Sequence, residues 1–219
     1  MVIRENFEKK LEELKSKIIE MEELTITSLK RAFEALKLQD MELALRVIEE
    51  DNEVDNLELE INQFAIWLMA KEQPVAIDLR VIIGALKISS EIERIADFGV
   101  NIAKAAIKIG KEDTLLNITE LEEMKEISVQ MHRKAIQSFT EGNLLLAKEV
   151  SALEDKVDDY YASTYKKLTA YLSEHPENTN QLVQLLLVNR YLERTADHIT
   201  NIAENTAYLI KGKMYDFNS

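Results

Sequence analysis

The chain reads ERIADFGVNIA at residues 93–103 and ERTADHITNIA at residues 193–203, with seven of the eleven positions identical. A second pair of segments repeats in the same way, DNEVD at residues 51–55 and EDKVD at residues 154–158. Similar segments that recur at a nearly constant offset are typical of a duplicated structural unit. We therefore expect two copies of one unit, each containing both segments.

Helices are predicted for almost the whole sequence. Apolar residues recur every three or four positions along most of the chain, which is the spacing of one helix face. Only 5 Gly and 2 Pro occur among 219 residues, so a sheet of short strands joined by tight turns is disfavoured. The predicted fold class is all-α, with two tandem three-helix bundles over residues 1–112 and 113–219. The predicted helices cover residues 5–37, 41–72, 76–109, 119–140, 144–174 and 180–211.

Residues that favour helix ends stand at the predicted breaks. Asp40 and Asn143 precede the second and fifth helices, where a short polar side chain can accept a hydrogen bond from a free backbone N–H. Thr119 and Glu122 match the capping-box pattern at the start of the fourth helix. Asp40 and Asn143 also keep the offset of the repeated 51–55 and 154–158 segments, which supports duplication.

Composition limits where the protein works and what it contacts. The chain has no Cys, no apolar N-terminal run typical of a signal peptide, and no stretch near the roughly 20 apolar residues of a membrane span. The formal net charge is -13, and the longest basic runs are two adjacent lysines, so nucleic-acid binding is disfavoured. We expect a soluble, cytoplasmic protein that reaches DNA or a membrane only through other proteins.

Each half carries two pairs of carboxylates separated by one helical turn. Residues at i and i+4 lie on the same helix face, where like charges repel by about 0.2–0.5 kcal/mol. A hard cation bound by carboxylate oxygens would remove that repulsion. If the helices pack side by side, the two pairs of each half predict one metal site; chance pairing on a solvated surface is the alternative. The pairs are Asp51 with Asp55, Glu93 with Asp97, Glu154 with Asp158, and Glu193 with Asp197.

Polar residues beside these pairs have more than one interpretation. Arg94 and Arg194 favour an ion pair with a nearby carboxylate over a contact with a metal site or a phosphate. Together with Asn101 and Asn201, they are also candidates to surround a bound metal.

No arrangement of residues typical of catalysis is present, and we predict that the chain is not an enzyme. Its 3 His are scattered, and none has Glu three residues before it as in carboxylate-bridged di-iron proteins. His198 stands where the other copy has Phe98, so a function shared by both halves is excluded and a surface or partly buried histidine is predicted. The alternative function is a metal store or a carboxylate-bridged metalloenzyme of the helical-bundle type.

These motifs resemble the PhoU family, the phosphate-transport regulatory proteins of bacteria. The similarity covers nearly the whole chain and rests on QPVAIDLR at residues 73–80, on the two Glu-Arg-x-x-Asp segments, and on IAE at 202–204 leading to YLIKG at 208–212. The resemblance implies two three-helix bundles related by pseudo-twofold symmetry, often assembled as a homodimer, and no catalytic activity.

The resemblance also implies a function. PhoU proteins lower the expression of phosphate-starvation genes when phosphate is plentiful, by contacting a membrane sensor histidine kinase and the ATPase subunit of a phosphate ABC transporter. Some members bind iron or zinc through motifs that match the carboxylate pairs above, and manganese or magnesium would also suit these oxygens. The chain departs from the family pattern in its second half, where PENTN at residues 176–180 replaces a second Pro-Val-Ala-x-Asp-Leu-Arg segment.

Overall fold

A computed structural model of the chain describes residues 2–110 and 115–212. In these residues it contains six α-helices, two short 3-10 helices and no strand, so the predicted fold class is confirmed. Every predicted helix end is correct to within three residues. The helices are α1 (Val2–Leu38), α2 (Met41–Glu72), α3 (Ala76–Ile109), α4 (Leu121–Glu141), α5 (Leu144–Glu174) and α6 (Thr179–Lys211), and the 3-10 helices are Leu115–Ile118 and Pro176–Asn178.

The helices form two bundles that share one core. α1, α2 and α3 pack against one another, and α4, α5 and α6 do the same. The bundles also contact each other, because α3 packs along α6 and α1 contacts α4. Buried apolar side chains of both halves therefore belong to one continuous hydrophobic cluster. The expected boundary between residues 112 and 113 lies outside the described residues.

The contact between α3 and α6, called the seam below, includes Gly84 against Leu209, Glu91 against His198 and Phe98 against Tyr191. Both helices also carry regularly spaced, buried aliphatic residues. Burying one such side chain stabilises the fold by about 1.5–3 kcal/mol, so the row sets how each helix is rotated. The same rotation turns the intervening polar positions of α3 and α6 towards α2 and α5. The fully buried residues include Ile82, Ile88, Ile92 and Ile95 of α3 and Leu185, Val188, Leu192 and Ile199 of α6.

The predicted N-caps of α2 and α5 are confirmed. An Asp40 carboxylate oxygen accepts a hydrogen bond from the backbone N–H of Leu43 at 2.9 Å. The side-chain oxygen of Asn143 accepts one from the backbone N–H of Leu145 at 3.1 Å. The two halves thus begin their second helix in the same way.

The predicted capping box of α4 is wrong. The N-cap residue is Glu120, which makes no side-chain cap, and Thr119 donates its hydroxyl to the carbonyl of Leu116 at 2.7 Å. Glu120 instead accepts hydrogen bonds from Ser163 and Thr164 of α5. A tertiary contact therefore replaces the local cap that the spacing predicted.

None of the helices in the described part of the chain has an apolar run sufficient to span a lipid bilayer.

Candidate functional site

The first carboxylate cluster consists of Asp51 and Asp55 on α2 and Glu93 and Asp97 on α3. Packing of α2 against α3 brings the two pairs into electrostatic range of each other. Burial, followed by the charges of Asp55 and Asp97, raises the pKa of Asp51 to about 6. The pKa of Glu93 is raised mainly by burial and then by Asp97. Asp97 of α3 thus acts on Asp51 of α2, and Asp55 of α2 acts on Glu93 of α3, so the two pairs lie within electrostatic reach of each other.

The second cluster repeats this arrangement with Glu154 and Asp158 on α5 and Glu193 and Asp197 on α6. Glu154 is only 8% exposed. Burial, and next the charges of Asp158 and Asp197, raise its pKa to about 7. The pKa values of Asp158 and Glu193 are also raised, in both cases mainly by burial and then by Asp197.

The two clusters have the chemistry of a cation site without a preformed coordination sphere. Burial and the neighbouring carboxylates raise the pKa of several of these groups and so favour their protonated form, and a bound cation would reverse that effect because it favours the ionised oxygens. The buried Oε2 of Glu193 finds no hydrogen-bond partner among the described residues, so one oxygen is free to take a ligand. Within residues 2–110 and 115–212, however, no three carboxylate or imidazole groups stand close enough together to hold a metal ion. The oxygen donors fit a hard metal ion, provided that their side chains change rotamer.

The arginines beside the clusters form ion pairs, as predicted. The Arg94 Nε atom lies 3.7 Å from Glu93 Oε2, and the Arg194 Nη1 atom lies 3.4 Å from Asp197 Oδ2. A third arginine, Arg190, was not predicted, and its Nη1 donates to Glu193 Oε1. Its position three residues before Glu193, on the same helix face, was the pattern that could have identified it.

Three further charged residues act on the clusters and were not predicted. Glu58 of α2 raises the pKa of Glu93, and Asp155 of α5 raises that of Glu154. Lys104 of α3 lowers the pKa of Asp51 and so opposes its other neighbours. Glu58 stands one turn beyond Asp55, so its place on the same helix face could have been predicted from the spacing. The effect of Lys104 of α3 on Asp51 of α2 depends on how the two helices pack, which the sequence does not show.

The seam beside the clusters joins equivalent positions of the two halves through different chemistry. His198 Nδ1 lies 2.6 Å from Glu91 Oε2, and the side chain is partly buried as predicted. Asn201 donates its amide to the same Glu91 oxygen at 3.3 Å. At the equivalent place Phe98 stacks on Tyr191, with ring centroids 6.0 Å apart. An aromatic stack between the two halves thus corresponds to a histidine–carboxylate contact between them at the equivalent place.

Fold and site together define a class of protein: a duplicated, all-helical bundle in which each copy carries an acidic cluster shared by two helices. The sequence model of the PhoU domain matches residues 18–106 and 121–206. The chain therefore belongs to the PhoU family.

Relatives of known name agree with this assignment. The chain is 37% identical to the phosphate-specific transport system accessory protein PhoU homolog of Clostridium acetobutylicum, over 98% of this chain and 99% of that protein. It is 39% identical to the homolog of the same name from Aquifex aeolicus, over 94% of this chain and 93% of that one. The crystal structure of the phosphate transport system regulatory protein PhoU from Streptococcus pneumoniae matches with a TM-score of 0.89 and 27% identity, covering 96% of this chain and 99% of that chain.

Proposed function

We propose that this chain regulates phosphate uptake as an adaptor that represses the phosphate-starvation response when phosphate is plentiful. The observation that carries the proposal is the similarity to phosphate-transport accessory proteins over 98% of the chain. By the family resemblance, its partners are a sensor histidine kinase and the ATPase subunit of a phosphate ABC transporter. It acts in the cytoplasm, associates with the membrane through these partners, and forms a homodimer.

The histidines of the described residues support a role in binding over one in catalysis. His132 is 2% exposed, and burial lowers its pKa to about 3, so its ring is neutral and inaccessible. His198 is engaged by Glu91, and His175 pairs with Glu177 on the surface. A general base needs an accessible imidazole within reach of a substrate and a nucleophile, and none of the three offers that combination.

Each cluster is proposed to bind metal as part of this function. Asp51, Asp55, Glu93 and Asp97 would hold one site, and the equivalent set around Glu154 would hold the other. Iron or zinc follows from the family resemblance, and carboxylate oxygens also suit manganese and magnesium. A bound metal would supply positive charge that joins α2 to α3 and α5 to α6, in a structural or sensing role.

The regulatory proposal is tested by deleting the gene and measuring transcripts of phosphate-starvation genes in phosphate-rich medium. We expect these transcripts to rise and to return to the repressed level when the wild-type chain is supplied. Repression that continues unchanged in the deletion strain would contradict the adaptor role.

The metal proposal is tested separately by elemental analysis of protein purified without chelators or an affinity tag that binds metal. The variant with Glu93, Asp97, Glu193 and Asp197 all replaced by Ala should lose the bound metal. A matched control replaces exposed acidic residues outside the clusters, such as Glu12 and Glu126. Equal metal content in the two variants would show that the clusters do not hold it.

A further inference from the structure

The Pro-Val-Ala-x-Asp-Leu-Arg segment, which the second half lacks, lies at an open end of the seam. Here the first turns of α3 meet the last turns of α6, and neighbouring cavities of about 330 and 220 Å³ share Arg80 and Leu209 as lining residues. The smaller cavity shares Lys87 and Tyr208 with a third one of about 640 Å³. The three cavities form one continuous depression, called the α3–α6 groove below.

One end of the groove presents apolar side chains to solvent. Ile77 is 69% exposed, and Ile83 and Ile210 are 41% and 40% exposed. The floor is shaped by Gly84, because a Cβ there would overlap the side chain of Leu209, which lies directly on this glycine. Clustered exposed aliphatic residues of this kind are typical of a protein-binding surface.

The groove carries two cations, Arg80 and Lys87, and two carboxylates, Glu91 and Glu204. Arg80 is exposed, as is Lys87 two turns further along the same face, and neither forms an ion pair with any described residue. At the polar end, the carboxylate of Glu91 is already engaged by His198 and Asn201. In a chain of net charge -13, two cations that lack an ion pair among the described residues and lie beside an apolar cavity are complementary to an acidic, apolar ligand.

The equivalent end of the seam in the other half is bridged by a side-chain hydrogen bond and is called the closed end below. Asn180 of α6 donates its side-chain amide to the backbone carbonyl of Lys108 at 3.0 Å, which bridges the ends of α6 and α3. Arg190, further along α6, is paired with Glu193. By the repeat offset Asn180 stands at the position equivalent to Arg80, so the two ends of the seam differ in charge and in how α3 and α6 are bridged.

We propose that the α3–α6 groove binds a short segment of a partner protein in which a large apolar side chain stands next to a carboxylate. The apolar side chain enters the cavity between Ile77 and Leu209, and the carboxylate pairs with Arg80, with Lys87 extending the positive rim. A guanidinium at the edge of an apolar cavity recognises this combination because it can bind a carboxylate bidentately. The inference deepens the adaptor function proposed above by assigning it a surface.

The test uses the full chain and a random peptide library displayed on phage, followed by fluorescence anisotropy with the selected synthetic peptide. We expect the selected peptides to carry Asp or Glu next to Leu, Phe or Tyr. Arg80→Glu should weaken binding by about tenfold or more, and a peptide with Lys in place of the acid should recover binding to that variant. Ile77→Ser, at an exposed position, should also weaken binding and leave the thermal unfolding midpoint unchanged.

Lys108→Glu is the matched control, since it reverses one exposed charge at the closed end of the seam. Equal weakening by Lys108→Glu and Arg80→Glu, or selected peptides without an acidic and an apolar residue side by side, would overturn the proposal. Binding that appears only after removal of residues 213–219 would assign the groove to the chain's own end instead. A dimer that Arg80→Glu dissociates in sedimentation would assign the groove to a second copy.

Peptide binding is measured on purified protein, so its failure is distinguishable from failure of the regulatory proposal. A deletion strain with normal starvation control would remove the adaptor role whatever the groove binds. Conversely, a groove that binds no such peptide leaves the transcript experiment unaffected.

Discussion

The two acidic clusters share one motif and differ in the pH at which the equivalent residues Asp51 and Glu154 ionise. Glu154 of the second cluster is buried and its pKa is raised to about 7, whereas the equivalent Asp51 is partly exposed and reaches about 6. Lys104 lowers the pKa of Asp51, while the cationic neighbours of the second cluster, Arg190 and Arg194, act on Glu193. Duplication thus preserved the acidic positions, and the packing around each copy sets how readily they ionise.

The difference between the pKa values of Asp51 and Glu154 affects cation binding, because a carboxyl group must lose its proton before it can bind a metal. Near neutral pH Asp51 is largely ionised, and Glu154 is about half protonated. We therefore expect the first cluster to bind metal over a wider pH range than the second.

The largest effect is expected from Glu154→Gln in the metal-free protein. Folding raises the pKa of Glu154 above its usual value, so the ionised group opposes folding at pH 8. Replacing it with a neutral side chain of the same shape should raise the free energy of unfolding by about 2 kcal/mol, after allowance for screening by water. Asp51→Asn should give a gain of similar size, because folding raises the two pKa values by similar amounts from their usual values. Urea unfolding at pH 8 checks both, and a destabilised Glu154→Gln protein would show that this charge is stabilised in the fold.

Measuring the free energy of unfolding of the unmodified chain at several pH values tests the same difference between Glu154 and Asp51. A carboxyl whose pKa is raised by folding contributes stability that is full below its unfolded pKa and is lost as the pH rises through the folded value. For Glu154 that loss runs from about pH 4.5 to about pH 7, and for Asp51 from about pH 3.8 to about pH 6. Glu154→Gln should abolish about 1 kcal/mol of the fall in unfolding free energy between pH 6 and 8. An unchanged slope in this variant would place the titration on other groups.

At the seam, the contrast is between the His198–Glu91 ion pair and the Phe98–Tyr191 stack. His198→Phe should destabilise the protein by about 1 kcal/mol, because it removes a partly buried, charge-assisted hydrogen bond and leaves Glu91 without that partner. The double variant with Glu91→Gln should lose less than the sum of the single changes if the two residues interact directly. Additive losses in thermal or urea unfolding would show that the contact contributes nothing by itself.

The smallest effect concerns the turns before α2 and α5. Gly142 has φ +67° and Gln39, at the equivalent position, has φ +54°, although only glycine adopts this region without strain. Gly142→Ala should lower the unfolding free energy by about 1 kcal/mol, while Gln39→Gly should raise it by about 0.5 kcal/mol. Opposite signs in thermal unfolding would support the equivalence of the turns, and equal signs would contradict it.

Much of the site could be predicted from the sequence because it depends on helical spacing. The pairs one turn apart must share a helix face, and their recurrence in both halves placed Glu93 and Asp97 in correspondence with Glu193 and Asp197. The side chains that adjust the clusters from outside the motif, such as Lys104, were missed. The position of such a residue in the sequence does not show which neighbouring helix its side chain contacts.

The sequence by itself determined the six helices, their duplication and the acidic faces, since the hydrophobic repeat and helix-end residues act locally. Only the tertiary structure decided that α3 packs along α6, that Glu154 is more buried than Asp51, and that one end of the seam is open while the other is closed. Burial and charge pairing between helices depend on side chains far apart in the chain. The interhelical packing therefore sets the pKa values and the groove.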